Sequence, residues 1–132
     1  MSNETRTVLA VDDDIDILEQ VALEMKREGY NVVTAEGQAE AEKLIAEGLQ
    51  FDMAIVDLMM ENMDSGFVLC HHIKKKYPGT PVIILTAVVS ETGIDFDATT
   101  HEERAWVRAD ALMDKPVRPE QLQREVARLL KG

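Results

Sequence analysis

Asp12, Asp13 and Asp14 follow one short apolar run, residues 7–11, and Asp57 follows another, residues 53–56. Thr86 closes a third, residues 82–85, and Lys115 comes just after a fourth, residues 111–113. Carboxylates, a hydroxyl and an amine at the ends of separate apolar runs are the ingredients of an oxygen-rich site that handles a cation and an anion together. Two carboxylates about 5 Å apart repel by ~3 kcal/mol at an effective dielectric near 20. Asp12, Asp13 and Asp57 can therefore share one place only with a cation to neutralise them. Mg²⁺ suits such a site, because it takes one or two carboxylates, waters and a phosphate oxygen. A carboxylate beside that ion can act as a nucleophile and become an aspartyl phosphate. Lys115 would then neutralise charge on the transferred phosphoryl group, and Thr86 would donate a hydrogen bond to it.

Each of these residues alone has a plainer reading. An acid at a strand end usually caps the helix that follows, and Asp14 and Asp16 are read that way. One helix start needs one cap, which leaves Asp12 and Asp13 over. Thr86 alone and Lys115-Pro116 alone carry little; joint occurrence at four strand ends carries the argument. His71 and His72 are consecutive on a predicted helix beside Cys70, so they point in different directions and cannot chelate one ion. Met59, Met60 and Met63 are read as loop packing, and Lys74-Lys75-Lys76 as solvated lysines at a helix end.

The elements that must position the acids follow from the apolar pattern. Residues 7–11, 30–35, 53–56, 82–85 and 111–113 read as strands, the first, third and fourth apolar throughout. Between them, Ile15, Leu18, Ala22 and Met25 share one helical face that Gly29 stops. Ala41, Leu44 and Ile45 mark a second helix ending at Gly48, and Gly66, Leu69, Cys70, Ile73 and Tyr77 a third closed by Pro78-Gly79. Thr100-His101-Glu102-Glu103 has the form of a capping box opening a short helix to about Ala109. Pro119 opens a last helix, whose apolar face is Leu122, Val126, Leu129 and Leu130. Apolar strands alternating with helices call for an α/β fold, a parallel sheet covered on both faces. Ligands of such sheets sit outside the carboxyl ends of the strands, where the acids stand.

The 132 residues fit one domain, taken as residues 1–132 with no output domain after the last helix. A net charge of −11 argues against a nucleic-acid surface, which needs a basic stripe. The single cysteine, Cys70, allows no intramolecular disulfide, and a reducing compartment is the default. No apolar stretch is long enough for a signal peptide or a membrane span, so the expected location is the cytoplasm.

The stretches 8–13, 53–60, 81–87 and 109–116 together make the chain resemble the receiver domain of bacterial two-component response regulators, and the resemblance covers essentially its whole length. It implies a doubly wound five-stranded parallel sheet in the flavodoxin-like order 2-1-3-4-5. Carried over by position, it implies that Asp57 accepts a phosphoryl group from a histidine kinase or histidine phosphotransfer protein. Asp13 would be a direct Mg²⁺ ligand, Asp12 would act mainly through water, and Met59 would offer its backbone carbonyl. Thr86, Lys115 and the Ala87 backbone N–H would hold the phosphoryl oxygens, and the Lys115-Pro116 bond would be cis. Thr86 and Leu112 would form the switch read by a downstream protein target.

The chain departs from the family pattern in four places. Glu61 stands where a proline is common, and the loop glycine comes one residue late, as Ser65-Gly66, implying a different loop path. Leu112 replaces the usual switch aromatic, and residues 88–98 contain extra length. Ile94 and Phe96 in that extension, with Trp106, are either packing for a remodelled helix or a partner surface. Met59 and Val88 flank the path of an attacking water, and two apolar side chains there would slow phosphoaspartate hydrolysis. Two rival readings are an unphosphorylated pseudo-receiver serving as an interaction module and a Mg²⁺-dependent aspartyl-phosphate phosphatase. The second needs a substrate-covering cap and a late acidic motif, and Asp114 beside Lys115 and Pro116 does not supply one.

Overall fold

The computed structural model describes residues 5–86 and 109–131. Five strands, β1 (Thr7–Val11), β2 (Asn31–Ala35), β3 (Met53–Asp57), β4 (Val82–Thr86) and β5 (Ala111–Asp114), form one sheet in the order β2-β1-β3-β4-β5. Every neighbouring pair is parallel. The described helices are α1 (Ile15–Arg27), α2 (Gln38–Ala46), α3 (Ser65–Lys76) and α4 (Pro119–Lys131). The extension at 88–98 and residues 100–108 of the predicted helix, with Ala87, Val88, Ile94, Phe96 and Trp106, lie outside the described residues; Ala109, the expected end of that helix, is described and is not helical.

Alternation along each strand divides the core in two. Leu9 and Val11 of β1 and Ala54 and Val56 of β3 face α2 and α3, meeting Ala41, Ile45, Leu69, Cys70 and Ile73. Val8, Ala10, Met53 and Ile55 face the other way onto Leu18, Val21 and Met25 of α1 and Leu122 and Val126 of α4. Both faces of the sheet are thus buried, which is why β1, β3 and β4 read as unbroken apolar runs.

Local chemistry fixes the helix ends. Asp14 caps α1, its Oδ1 accepting from Asp16 N at 3.0 Å and Ile17 N at 3.4 Å. Gly29 ends that helix with φ 91°, a left-handed conformation that L side chains rarely adopt. Lys74, read from the sequence as solvated, is instead buried (9% exposed). It reaches 2.7 Å to Asp110 Oδ2, which also accepts from Val82 N at 2.8 Å. Lys75 and Lys76 are exposed as expected, Lys76 Nζ also donating to Ile45 O at 2.7 Å. Met60 does pack against the core, whereas Met63 is 77% exposed and Met59 is 40% exposed, so the packing reading fails for those two.

Gly66, in the first turn of α3, is fixed by a close approach. Its N–H donates to Leu58 O at 2.7 Å. A Cβ there would stand 2.5 Å from Asp57 O and 2.6 Å from Leu58 Cα, both backbone atoms that cannot swing aside. Alanine gains up to about 1 kcal/mol over glycine inside a helix, but overpacking against backbone costs about 1–3 kcal/mol. Gly66→Ala is therefore expected to lower stability by about 1–2 kcal/mol in urea denaturation. An unchanged or raised midpoint would show that α3 can withdraw freely from β3.

Candidate functional site

Strand order reverses between β1 and β3, and both carry acid at their carboxyl ends. Asp57 is the last residue of β3 and 4% exposed; Asp12, just past β1, is 2% exposed. Asp12 is held by its own turn, Oδ1 accepting from Asp14 N at 2.9 Å while its backbone N donates to Ala35 O at 3.2 Å. Asp13, next along, is exposed. One carboxylate oxygen from each of Asp12, Asp13 and Asp57 can be chosen so that all three lie within 4.8 Å of one another.

Lys115 follows β5, its backbone N donating to Thr86 O at 3.0 Å, and its bond to Pro116 is cis. Its ammonium lies 2.9 Å from Asp57 Oδ1 and 3.2 Å from Asp12 Oδ2. Thr86, the last residue of β4, is 1% exposed. Asp13, Asp14, Asp57, Met59, Thr86 and Lys115 line one cleft of about 180 Å³. That volume admits an ion and a phosphoryl group but falls below the 300–1,000 Å³ usual for organic ligands. Of the residues singled out from sequence, Asp12, Asp13, Asp57, Met59, Thr86 and Lys115 are thus brought together. Leu112 points elsewhere, 43% exposed on β5.

The electrostatics follow from burial. Removal from water pushes the Asp57 carboxyl up to about 6, aided by Asp12 and Asp13 and only partly countered by Lys115. Burial likewise raises Asp12 above the ordinary carboxylate range, against the lowering effect of the Asp14 N–H and Lys115. For Lys115, burial works toward a lower value, but its hydrogen bond to Asp57 and the charges of both acids outweigh it and the net shift is upward. The donor set is all oxygen, and Asp12 Oδ2 is buried without a well-aligned hydrogen bond among the described residues. An all-oxygen donor set that includes one such buried oxygen fits a small divalent cation such as Mg²⁺.

Sequence reasoning did not anticipate one feature beside the site. Glu61, in the loop after β3, accepts from Gln38 N at 2.8 Å and Ala39 N at 3.0 Å at the start of α2. The partners are backbone groups, which a sequence does not display.

A five-stranded doubly wound sheet with acids after β1 and β3 and a lysine after β5 defines the receiver class of signalling domain. The chain belongs to the response regulator receiver domain family, whose sequence profile matches residues 8–127. It is 45% identical over 87 residues to the transcriptional regulatory protein GlrR of Escherichia coli K12, covering 66% of this chain and 19% of that protein. It is 37% identical over 115 residues to the heme response regulator HssR of Staphylococcus aureus JH9, covering 86% of this chain and 46% of that one. The chain therefore spans less than half the length of these curated relatives. Among solved structures, the chemotaxis response regulator CheY4 of Vibrio cholerae superposes with a TM-score of 0.77 at 31% identity, covering 96% of this chain and 99% of that one. The response regulator TrrA of Thermotoga maritima, in complex with Mg²⁺-BeF, gives 0.75 at 27% identity, covering 95% and 99%. Among the described residues no helix is long and apolar enough to cross a membrane.

Proposed function

We propose that the chain is a phosphorylation-activated switch: Asp57 accepts a phosphoryl group from a histidine kinase or histidine phosphotransfer protein, and a downstream protein reads the altered surface. The observation that carries this reading is the Lys115 ammonium, which lines a phosphoryl-sized cleft with Asp57 and bridges the buried carboxylates of Asp57 and Asp12. An Asp57 oxygen attacks phosphorus in line while the nitrogen–phosphorus bond of the donor breaks, its electron pair going to the imidazole. The carboxylates of Asp12, Asp13 and Asp57 and the Met59 carbonyl would hold Mg²⁺, which when bound neutralises charge on the transferred group. Lys115, already beside Asp57, balances the added negative charge, and Thr86 donates to a phosphoryl oxygen. Drawing Thr86 inward shifts the carboxyl end of β4, next to β5 and its exposed Leu112, and so biases a two-state surface. The partners proposed are proteins, in keeping with a net charge of −11 that repels nucleic-acid phosphates. The setting proposed is the cytoplasm. The chain acts once per phosphorylation and is not a turnover enzyme.

Incubation with acetyl phosphate and Mg²⁺, followed by intact-mass measurement, tests the reading. One added phosphoryl group per chain is expected. No adduct at all favours the pseudo-receiver, and steady release of phosphate from small substrates favours the phosphatase.

Carboxylates must be deprotonated to bind a metal. With Asp57 titrating at about 6, Mg²⁺ affinity is expected to rise about tenfold per pH unit below that value and to level off above about pH 7. Calorimetric titration between pH 5 and 8 checks this; an affinity flat across the range would remove Asp57 from the ligand set.

A further inference from the structure

Helix α2 is preceded at its N-cap by Gly37, which has no side chain to cap it. Its first N–H groups are satisfied from a distant part of the chain, by Glu61. Glu61 Oε1 accepts from Gln38 N at 2.8 Å and Oε2 from Ala39 N at 3.0 Å. A carboxylate at a helix N-terminus also gains from the aligned backbone dipoles. Held this way, chiefly by the Ala39 N–H, the Glu61 carboxyl sits below its ordinary range.

The fit is mutual. A Cβ at position 37 would stand 2.8 Å from Glu61 Oε2 and 3.2 Å from its Cδ. The backbone at Gly37 is extended, φ 166°, so any residue could adopt it. Glycine at this position makes room for the carboxylate.

Glu61 belongs to the stretch that links β3 to α3 and contains Met59, which lines the cleft. The two ends of that stretch are pinned by backbone bonds, Leu58 N to Leu85 O at 2.8 Å and Gly66 N to Leu58 O at 2.7 Å. Within it, Met60 N donates to Asn62 O at 3.1 Å and Asn62 N to Ser65 Oγ at 2.9 Å, bonds that fold the loop on itself. Glu61 supplies the bonds that tie this loop to α2, two residues beyond Met59. A side-chain clamp thus holds the loop from outside.

We propose that Glu61 is a positioning residue for the metal site: by fastening its loop to the first turn of α2, it fixes where the Met59 carbonyl stands relative to the Asp12, Asp13 and Asp57 carboxylates. The proposal rests on the reading that Mg²⁺ is held there. Groups that orient a metal ligand typically change affinity 10–100-fold when removed, and a single carbonyl among several ligands belongs at the low end.

Calorimetric Mg²⁺ titration at pH 7.5, paired with urea denaturation, on wild type, Glu61→Ala, Glu61→Gln and Gly37→Ala separates the outcomes. Glu61→Ala is expected to weaken Mg²⁺ binding about tenfold. Gly37→Ala keeps Glu61 in the chain but displaces its carboxylate, and is expected to weaken binding to a similar extent. Glu61→Gln, with one acceptor oxygen for two N–H groups, is expected to fall between. Variants that lose stability but bind Mg²⁺ as wild type does would reduce Glu61 to a helix cap and overturn the proposal. So would loss of affinity in Glu61→Ala with none in Gly37→Ala. A wild-type chain that binds no Mg²⁺ overturns the functional reading itself, a failure visible before any variant is compared.

Discussion

Asp57→Asn is expected to abolish the phosphoryl adduct and, at the same time, to make the metal-free protein more stable at pH 7.5 by about 3 kcal/mol. Asparagine has no carboxylate to esterify, so the first effect is complete loss. The second follows from linkage. The Asp57 carboxyl titrates at about 6 in the folded chain against 3.8 in an ordinary setting, chiefly because it is buried. Between those values the folded state holds a proton that the unfolded state has released, so stability falls as pH rises through the window. At roughly 1.4 kcal/mol per pH unit the loss reaches about 3 kcal/mol, and it is fully present above about pH 7. Asparagine resembles the protonated acid and does not incur it. Urea denaturation without Mg²⁺ should therefore show the variant ahead at pH 7.5 and the two chains converging below about pH 4. Adding Mg²⁺ should narrow the gap, because the cation stabilises the ionised wild type. Equal stability at pH 7.5, or a gap that widens on acidification, would mean that Asp57 is not destabilised by its surroundings.

Such a site stores destabilisation where function needs it, and that helps explain which parts were legible in the sequence. Buried parallel strands read as apolar runs, so an acid at the end of each run stands out against its neighbours. Asp12, Asp57 and Thr86 were visible for that reason, and the family resemblance supplied the strand order that brings them together. Asp14 was legible as a cap because its partners, the N–H groups of Asp16 and Ile17, are two and three residues away. Lys74 was misread because its partner, Asp110, lies 36 residues off and is joined to it by packing of α3 beside the start of β5. Gly66 was legible as part of a helical face, but the Asp57 and Leu58 backbone that excludes a side chain there was not. Glu61 was noticed as a departure, yet its role depends on Gly37 leaving a space, and an absent side chain gives no signal. Contacts within a turn or along a strand can be read from order alone. Contacts between loops need the coordinates.

Lys115→Met is expected to cost about 3–5 kcal/mol of stability at pH 7.5 without Mg²⁺, the range found when one partner of a buried ion pair is removed. Methionine keeps the length of the stem and removes the charge, so the change isolates the ammonium. That group lies 2.9 Å from Asp57 and 3.2 Å from Asp12, and all three side chains are largely withdrawn from water, with 16%, 6% and 3% of their surface exposed. Without it, two buried carboxylates face each other uncompensated, with Asp13 close by. Their repulsion can be relieved in two ways, each of which gives a readout. Proton uptake relieves it, so the deficit relative to wild type should shrink toward pH 5, where Asp57 is already mostly protonated. A divalent cation also relieves it, so Mg²⁺ should raise the unfolding midpoint of the variant more than that of wild type. If the deficit were the same at pH 5 and pH 7.5 and indifferent to Mg²⁺, Lys115 would contribute through the packing of its stem and not through its charge. The proposed phosphoryl site depends on that charge, because an incoming phosphoryl group adds negative charge at the place where Lys115 already balances Asp57 and Asp12.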